Sequence, residues 1–223
     1  MSLINLSCAE KIVDQMKNSI CKIKLENIQG TGFFCKIPFP NNSNYLKLLF
    51  TCYHVITDDF LNKKDVKILL KFNNESNIRE LNLNNRIKYT NKEYDITIIE
   101  IKESDNITNY LELDDFLLQG INSDEINNEI FIDKSIYIIE YIHGELSPSV
   151  SSDKIGNIFE EKKYNFTHQC RTGNGAAGSP ILNVKNNKVI GIHHSTMHHS
   201  HRGIGTFLNY AMKEFISNYK NNI

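Results

Sequence analysis

The chain has 223 residues, of which 40% are hydrophobic and 23% charged, and its formal net charge at pH 7 is −1. This length suffices for one large hydrophobic core or two small ones, and it is too short for several independent domains. The balanced charge excludes an extended basic surface, and the sequence has no apolar run near the roughly 20 residues of a membrane-spanning helix. We therefore expect neither nucleic acid nor a membrane among its partners.

The first predicted element is an amphipathic helix within residues 1–20. From residue 9 to residue 20, apolar side chains recur at helical spacing: Ile12, Val13, Met16 and Ile20. Acids and amides stand where a secretory signal peptide has an unbroken apolar core. Five cysteines, an odd number without CxxC spacing, are typical of reduced thiols. We therefore expect a helix that packs against the protein, and a cytoplasmic location.

From Cys21 onward the pattern changes to short apolar or alternating runs that are separated by polar turns. In residues 21–110 these runs read CKIKL, GTGFFCKI, YLKLLFTCYHVI, VKILLKF, IRELNL and YDITIIEI. After a polar, acidic connector, residues 111–130, a second set within residues 131–207 reads KSIYIIEYI, SVSSDKIGNI, NFTHQC, SPILNV, KVIGIHHS and GIGTFLNY. Such runs predict strands.

Six strands on each side of a connector predict a mainly β protein made of two antiparallel six-stranded barrels, not a βαβ array. Closure of each barrel would remove strand edges that otherwise promote aggregation. A second amphipathic helix is predicted for residues 208–223, with one apolar face made by Leu208, Met212, Phe215 and Ile216.

Three motifs carry candidate chemistry. His54 lies in TCYHV at the end of an apolar strand, Asp95 lies in YDITII at the start of another, and the turn Gly173–Pro180 leads into a third. In chain order they are a histidine, an aspartate and a glycine-rich turn that ends in Gly-Ser-Pro. Taken alone, each has an ordinary alternative: a strand-end histidine, a strand-cap acid and a plain hairpin.

Together these motifs resemble the chymotrypsin-fold serine peptidases, which run His…Asp…Ser with the serine inside Gly-x-Ser-Gly-(Gly/Ser)-Pro. The progression GTGFFCKIPFP, TCYHV, DITIIEI, GSPI, VIGIH is most like intracellular trypsin-like peptidase domains of protists and bacteria, and glutamyl endopeptidases. The resemblance covers the chain from Cys21 to the C-terminal helix. It implies His54 as general base and Asp95 as the acid that orients it. The backbone N–H groups of Gly175 and Ala177 would form the oxyanion hole in a cleft between the barrels.

The sequence departs from this family at the nucleophile, where Ala177 replaces the serine. A methyl group cannot attack a carbonyl, so we expect the chain as written to be inactive. Ser179 belongs to the next strand and does not substitute. A Ser→Ala knockout is favoured because His54 and Asp95 are intact, but a natural pseudopeptidase that binds an acidic peptide or protein partner stays open.

The resemblance also implies a specificity pocket. Thr172 and His193 match a Thr and a Gly-x-His that, in glutamyl endopeptidases and picornavirus-type proteases, meet the substrate residue before the cut. Hydroxyl and imidazole donors without an acid predict cleavage after Glu first and Gln next, and argue against cleavage after Lys or Arg. Arg171 would assist if it turned inward, and Gly203 and Gly205 would keep the opposite wall open. The alternative is a structural threonine and a satisfied β-sheet histidine.

A histidine-rich run suggests a zinc site, made of His193, His194, His198, His199 and His201. Ligand-like spacing arises automatically in so dense a cluster, and no acid or cysteine nearby completes a tetrahedral set. We therefore expect a solvated hairpin loop here, and no metal or organic cofactor.

Ala176 replaces the acid that captures a new N-terminus in secreted zymogens, so the pocket is expected to form without processing or under a partner's control. The expected partners are a protein or peptide substrate, and a regulatory partner or neighbouring module.

Overall fold

The computed structural model describes residues 4–25, 28–39, 43–73, 78–121, 123, 126–143, 145–197 and 202–220. In these residues the chain forms four α-helices and fourteen β-strands. The helices are α1 (Leu6–Asn18), α2 (Asp58–Leu61), α3 (Asp115–Ile121) and α4 (Leu208–Lys220). Among them, no helix is long and apolar enough to cross a membrane.

The first half of the chain forms one sheet. Its strands are β1 (Ile20–Lys24), β2 (Gln29–Pro38), β3 (Tyr45–Thr51), β4 (Lys67–Lys71), β5 (Arg79–Asn82), β6 (Lys88–Asn91), β7 (Ile96–Glu100) and β8 (Leu111–Glu112). They follow the order β5-β4-β1-β2-β3-β7-β6 with antiparallel neighbours, and β8 lies parallel beside β2. In the described residues β5 and β6 stay at opposite ends, so this sheet is a half-barrel rather than the closed six-stranded barrel that we expected.

The second half forms a closed barrel of six strands, as predicted. The strands are β9 (Ser135–Glu140), β10 (Ser149–Ile158), β11 (Asn165–His168), β12 (Ser179–Asn183), β13 (Val189–Thr196) and β14 (Gly203–Phe207). Their order around the barrel is β10-β11-β14-β13-β12-β9. The predicted mainly β class with a helix near each end is therefore confirmed.

The terminal helices cover the barrel and connect it with the half-barrel. Gln15 of α1 is buried, donates to the carbonyl of Asn187 at 2.9 Å and accepts the Tyr137 hydroxyl at 2.7 Å. Phe215 of α4 packs edge-on against Tyr89 of the half-barrel, with the ring centroids 5.8 Å apart. The IYII segment of β9 is fully buried, which is typical of a strand that is covered on both faces.

Candidate active site

The first part of the site is a histidine held by an acid. His54 lies in the turn after β3, and Asp95 is the last residue before β7, the neighbour of β3. The Asp95 carboxylate accepts the His54 backbone N–H at 3.0 Å on one oxygen, and lies 2.7 Å from the imidazole Nδ1 through the other. Since a carboxylate only accepts, Nδ1 carries the proton, and the Nε2 lone pair of a side chain that is 51% exposed can act as a base.

Local turn chemistry presents Asp95. Its φ of 52° lies in the left-handed region, which Asp tolerates better than most residues with a Cβ. The turn before it is closed by the Asn91 side chain, which accepts the Tyr94 N–H at 2.9 Å. The sequence N-K-E-Y-D between two paired strands therefore forms a tight hairpin that fixes the acid beside His54.

The second part of the site is the turn that carries Ala177. Gly175 and Gly178 have φ of 96° and 92°, and a Cβ at Gly175 would lie 2.6 Å from the Tyr141 carbonyl oxygen. Both positions therefore require glycine. The Ala177 and Gly175 amides have no acceptor in the part of the chain that the structure describes, so both remain available to a ligand.

The orientation of these two amides follows from their peptide units. The carbonyl of Asn174 accepts the N–H of His143, and the carbonyl of Ala176 accepts the N–H of Ser179. In a trans peptide the N–H points opposite to the C=O. The N–H groups of the next residues, Gly175 and Ala177, therefore point away from these partners.

Shared contacts bring the histidine and the turn together. The carbonyl of His193 accepts both the Gly178 N–H at 2.9 Å and the Cys52 thiol at 3.4 Å. A Cβ on Gly30 would lie 2.7 Å from the Val55 side chain and 3.1 Å from the Ala177 carbonyl oxygen. The segment around His54 and the turn around Ala177 therefore both contact the His193 carbonyl, and both lie close to Gly30.

Two side chains lie beside Asp95 that the sequence did not place in the catalytic group. His194 Nδ1 lies 3.9 Å from the carboxylate, and Cys52 Sγ lies within 4.8 Å of the ligand atoms of both Asp95 and His54. Burial raises the pKa of the Cys52 thiol well above its usual value, so this sulfur is a thiol and not a reactive thiolate.

Cys52, His54 and Asp95 are the ligand types that zinc takes. However, two ligands of one tetrahedral zinc lie about 3.3 Å apart given zinc–ligand bonds of about 2.0 Å. The 2.7 Å approach of His54 to Asp95 is a direct hydrogen bond. The arrangement is therefore that of a base with its orienting acid. His198, His199 and His201 of the histidine-rich run lie outside the described residues.

Two of the predicted pocket residues, Thr172 and His193, each contact one further polar side chain. The Thr172 hydroxyl is 3.2 Å from that of Thr196, and His193 Nδ1 is 3.1 Å from Nε2 of the fully buried His168. Burial, with the neighbouring imidazole, lowers the pKa of His193 well below its usual value, and burial lowers the pKa of His168 to about 4. Both rings are therefore neutral at pH 7.

The other predicted pocket residues have different surroundings. Arg171 is exposed, and its backbone carbonyl accepts the Ser151 hydroxyl at 2.7 Å. A Cβ at Gly203 would lie 2.0 Å from the His168 ring, and one at Gly205 would lie 2.4 Å from the Ile181 side chain. These two glycines make room for His168 and for the core.

A buried acid beneath the turn was also missed. Glu140 at the end of β9 is 2% exposed, and its carboxylate accepts the Gly173 N–H at 3.2 Å. Burial raises its pKa to about 7. The only sequence signal for Glu140, as for His168 in NFTHQC, is a polar residue inside an otherwise apolar strand.

Comparisons with known proteins give both a family and a fold. The model of the trypsin-like peptidase domain matches residues 30–192. A structure of a Glu endopeptidase in complex with MPD has a TM-score of 0.64 at 17% identity, covering 92% of this chain and 91% of that one. The structure of the serine endoprotease from Yersinia pestis has a TM-score of 0.63 at 15% identity, covering 98% of this chain and 69% of that one.

A further solved structure, the inactive form of the Rv3671c protease from M. tuberculosis, gives a TM-score of 0.61 at 12% identity, covering 97% of this chain and 98% of that one. No curated protein sequence matches the chain. At these identities the likeness to solved structures establishes the fold, which is the chymotrypsin-like class that the sequence motifs implied.

Proposed function

The chain belongs to the trypsin-like peptidase domain family, and on that premise we propose that it is a serine endopeptidase domain whose nucleophile position is occupied by Ala177. The observation that carries the proposal is that the Asp95 carboxylate contacts His54 twice, at the backbone N–H (3.0 Å) and at the imidazole Nδ1 (2.7 Å). With Nδ1 directed to Asp95, Nε2 is the ring nitrogen that is left to act as a base, and the Gly175 and Ala177 amides of the turn are available to a ligand. The general base, its orienting acid and the amides for the oxyanion are the groups that acyl transfer needs besides the nucleophile.

A serine at position 177 would complete the reaction. His54 Nε2 takes the hydroxyl proton while the oxygen attacks the scissile carbonyl carbon, and the oxyanion receives hydrogen bonds from the N–H groups of residues 175 and 177. His54 then returns the proton to the leaving amine, and water repeats the sequence on the acyl-enzyme. Asp95 stabilises the imidazolium that forms in each half-reaction.

The proposed cleavage site follows Glu, with Gln second. One of the two neutral rings must donate to the other, and His168 Nδ1 is buried without a hydrogen-bond partner in the described residues. An unpaired buried N–H is the rarer of the two unsatisfied states, so we assign the shared proton to His168 Nε2. His193 then carries its own proton on Nε2, and with the Thr172 hydroxyl it offers donors to a carboxylate or carboxamide.

With Ala177 in place, the chain is proposed to be inactive, whether as an introduced Ser→Ala change or as a natural pseudopeptidase. The pseudopeptidase is the second candidate because Ala177 keeps its amide available while removing the nucleophile. It would use the same donors to bind an acidic peptide or protein partner without cutting it. We keep the cytoplasm as the proposed compartment on the strength of the five cysteines without CxxC spacing.

Labelling with a fluorophosphonate probe tests the leading proposal. The hydroxyl oxygen of an activated serine bonds to phosphorus, fluoride leaves, and the proton passes to the general base. We expect the Ala177→Ser chain to gain one phosphonyl group in intact-mass analysis and to lose this reactivity when His54→Ala is added. The unchanged chain, which retains Ser179, is the matched control and should stay unlabelled.

Two results would count against the proposal. Equal labelling of the unchanged chain would place the reactive group elsewhere, and a folded but unlabelled Ala177→Ser chain would mean that His54 does not activate position 177. In the second case, binding of a Glu-terminated peptide to the unchanged chain would favour the pseudopeptidase.

A further inference from the structure

Thr31, in β2 of the half-barrel, is fully buried against the turn that carries Ala177. Its backbone N–H donates to the Ala177 carbonyl at 2.9 Å, and its hydroxyl donates to the Gly175 carbonyl at 2.9 Å. The same hydroxyl accepts the Tyr141 N–H at 2.9 Å, and the Thr31 carbonyl accepts the Thr51 hydroxyl at 2.9 Å. One residue of the half-barrel therefore holds two carbonyls of a turn that belongs to the closed barrel.

The hydrogen bonds of the Thr31 hydroxyl define its orientation. A hydroxyl has one proton to donate, and because the Tyr141 N–H occupies its acceptor side, that proton points to the Gly175 carbonyl. At the other end of the same peptide unit, the Ala176 N–H donates to the Gly173 carbonyl at 3.1 Å. This peptide cannot rotate without breaking both hydrogen bonds, and its rotation would displace the amides on each side of it.

We propose that Thr31 is a positioning residue of the oxyanion hole, holding the Gly175–Ala177 turn in its receptive conformation before substrate binds. Donors that are already oriented stabilise a developing oxyanion more than donors that must first turn toward it. Ala176 has no charge with which to form an ion pair, so the turn depends on neutral hydrogen bonds of this kind. The catalytic consequence rests on the proposed function, whereas the effect on the turn rests on the contacts alone.

Three variants separate this role from general stabilisation. Thr31→Val removes the hydroxyl at nearly constant volume, and Thr31→Ser keeps it. Thr206→Val is the matched control, because Thr206 of β14 is equally buried and donates one side-chain hydrogen bond, to Asn165 at 2.8 Å. Thermal unfolding establishes that each variant is folded.

The first readout is amide hydrogen exchange in the chain as it stands, which needs no activity. In Thr31→Val we expect the Ala176 and Gly178 amides to exchange about fivefold faster relative to amides of β3, since the lost hydrogen bond to the Gly175 carbonyl is worth about 1 kcal/mol. Thr31→Ser and Thr206→Val should leave this ratio unchanged. Equal ratios in Thr31→Val and Thr206→Val would overturn the proposal.

The second readout is peptide hydrolysis by the same variants in the Ala177→Ser chain. We expect Thr31→Val to lower kcat by about 10–100-fold with KM within about twofold, and Thr31→Ser to restore kcat to within about threefold. Loss confined to KM, or no loss beyond that of Thr206→Val, would contradict the role. If the Ala177→Ser chain has no activity while exchange in the turn still depends on Thr31, the proposed function fails and the positioning role stands.

Discussion

Glu140 shows how one buried carboxyl makes stability depend on pH. Its pKa in the folded protein is about 7 because of burial, against 4.5 for an ordinary Glu. At Glu140 the folded protein therefore binds more protons than the unfolded chain between these values, so the contribution of this residue to stability is largest below pH 4.5 and is lost as pH rises through about 7. Each unit of this difference is worth about 1.4 kcal/mol.

We predict that Glu140→Gln removes this dependence while keeping an acceptor for the Gly173 N–H. As pH rises from 4.5 to 7.5, the free energy of unfolding of Glu140→Gln minus that of the parent chain should increase by about 3 kcal/mol. Urea unfolding at a series of pH values measures the difference. The exposed Glu161→Gln serves as control, and a constant difference across this range would show that Glu140 is ionised when folded.

His168 acts on the proposed pocket only through His193, so its effect should depend on the substrate. In the Ala177→Ser chain we predict that His168→Phe lowers kcat/KM for Glu and Gln peptides by about 10–100-fold, since one oriented donor in a buried pocket is lost. A matched Ala peptide should change by less than about threefold. An equal loss on all three peptides would mean that His168 supports the fold and not the pocket.

At the scale of single residues, the sequence predicts those whose chemistry demands one side-chain type. It does not predict residues that matter through a contact with a distant part of the chain. His54, Asp95 and Gly175 lie in motifs where spacing and residue type coincide. Thr31 and His168 gain their roles from partners far away in the chain, at Gly175 and His193. A single polar residue in an apolar strand carries no information on which partner it will meet.

Among the elements, the turn between β11 and β12 has strict backbone requirements. Gly178 has φ of 92°, and a Cβ there would lie 2.0 Å from the Thr31 carbonyl oxygen. Gly120 in α3 has ordinary space, since its nearest neighbour would be the Asn209 amide at 3.4 Å. The two glycines therefore permit a matched comparison of the same substitution.

We predict that Gly178→Ala lowers the free energy of unfolding by about 3 kcal/mol or more, through strain at positive φ and the clash with backbone. Gly120→Ala should raise it by about 0.4–1 kcal/mol, because alanine restricts the unfolded chain and favours the helix. Chemical denaturation measures both. A Gly178→Ala protein as stable as the parent would show that the turn adopts another conformation.

The elements that the sequence missed are short or weakly patterned. β6 has four residues, KYTN, of which Tyr89 alone is buried, and α2 has four, capped by the Thr57 hydroxyl. α3 lies inside the predicted connector, where DFLLQGI is too short for a helical period to stand out. The N-terminal helix begins at Leu6 rather than near Ala9 because the Asn5 side chain caps it.

At the scale of the whole molecule, aromatic contacts join the half-barrel to the second half. Tyr94, next to Asp95, packs edge-on against Tyr164 at 4.8 Å between ring centroids, and Tyr164 packs against Tyr210 of α4 at 5.9 Å. Phe215 of the same helix contacts Tyr89 of the half-barrel. α4 is therefore part of the interface that places His54 and the turn next to each other.

We predict that Phe215→Ala lowers the free energy of unfolding by about 3–5 kcal/mol, as loss of a buried phenyl ring does, and that both halves lose stability together. Phe116→Ala, at a side chain that is 60% exposed, should cost less than about 1 kcal/mol. Hydrogen exchange at β3 and β13 monitors the two halves. Loss of protection in one half alone would show that α4 does not couple them.

The sequence predicted two β units but not the form of the first unit. Strand number and alternation are local properties, whereas closure depends on whether the end strands pair. In the described residues of the half-barrel the ends are β5 and β6, with four residues each. The six-stranded closure of the second barrel follows the predicted runs closely because each of its strands was recognised.

The measurement that tests the central claim most directly is peptide hydrolysis by the Ala177→Ser chain on matched peptides with Glu, Gln, Lys, Leu or Ala before the scissile bond. We predict cleavage after Glu, then Gln, and its loss when His54→Ala is added. No cleavage of any peptide by a folded Ala177→Ser chain would contradict the peptidase, and cleavage led by Lys or Leu would contradict the pocket made by Thr172 and His193.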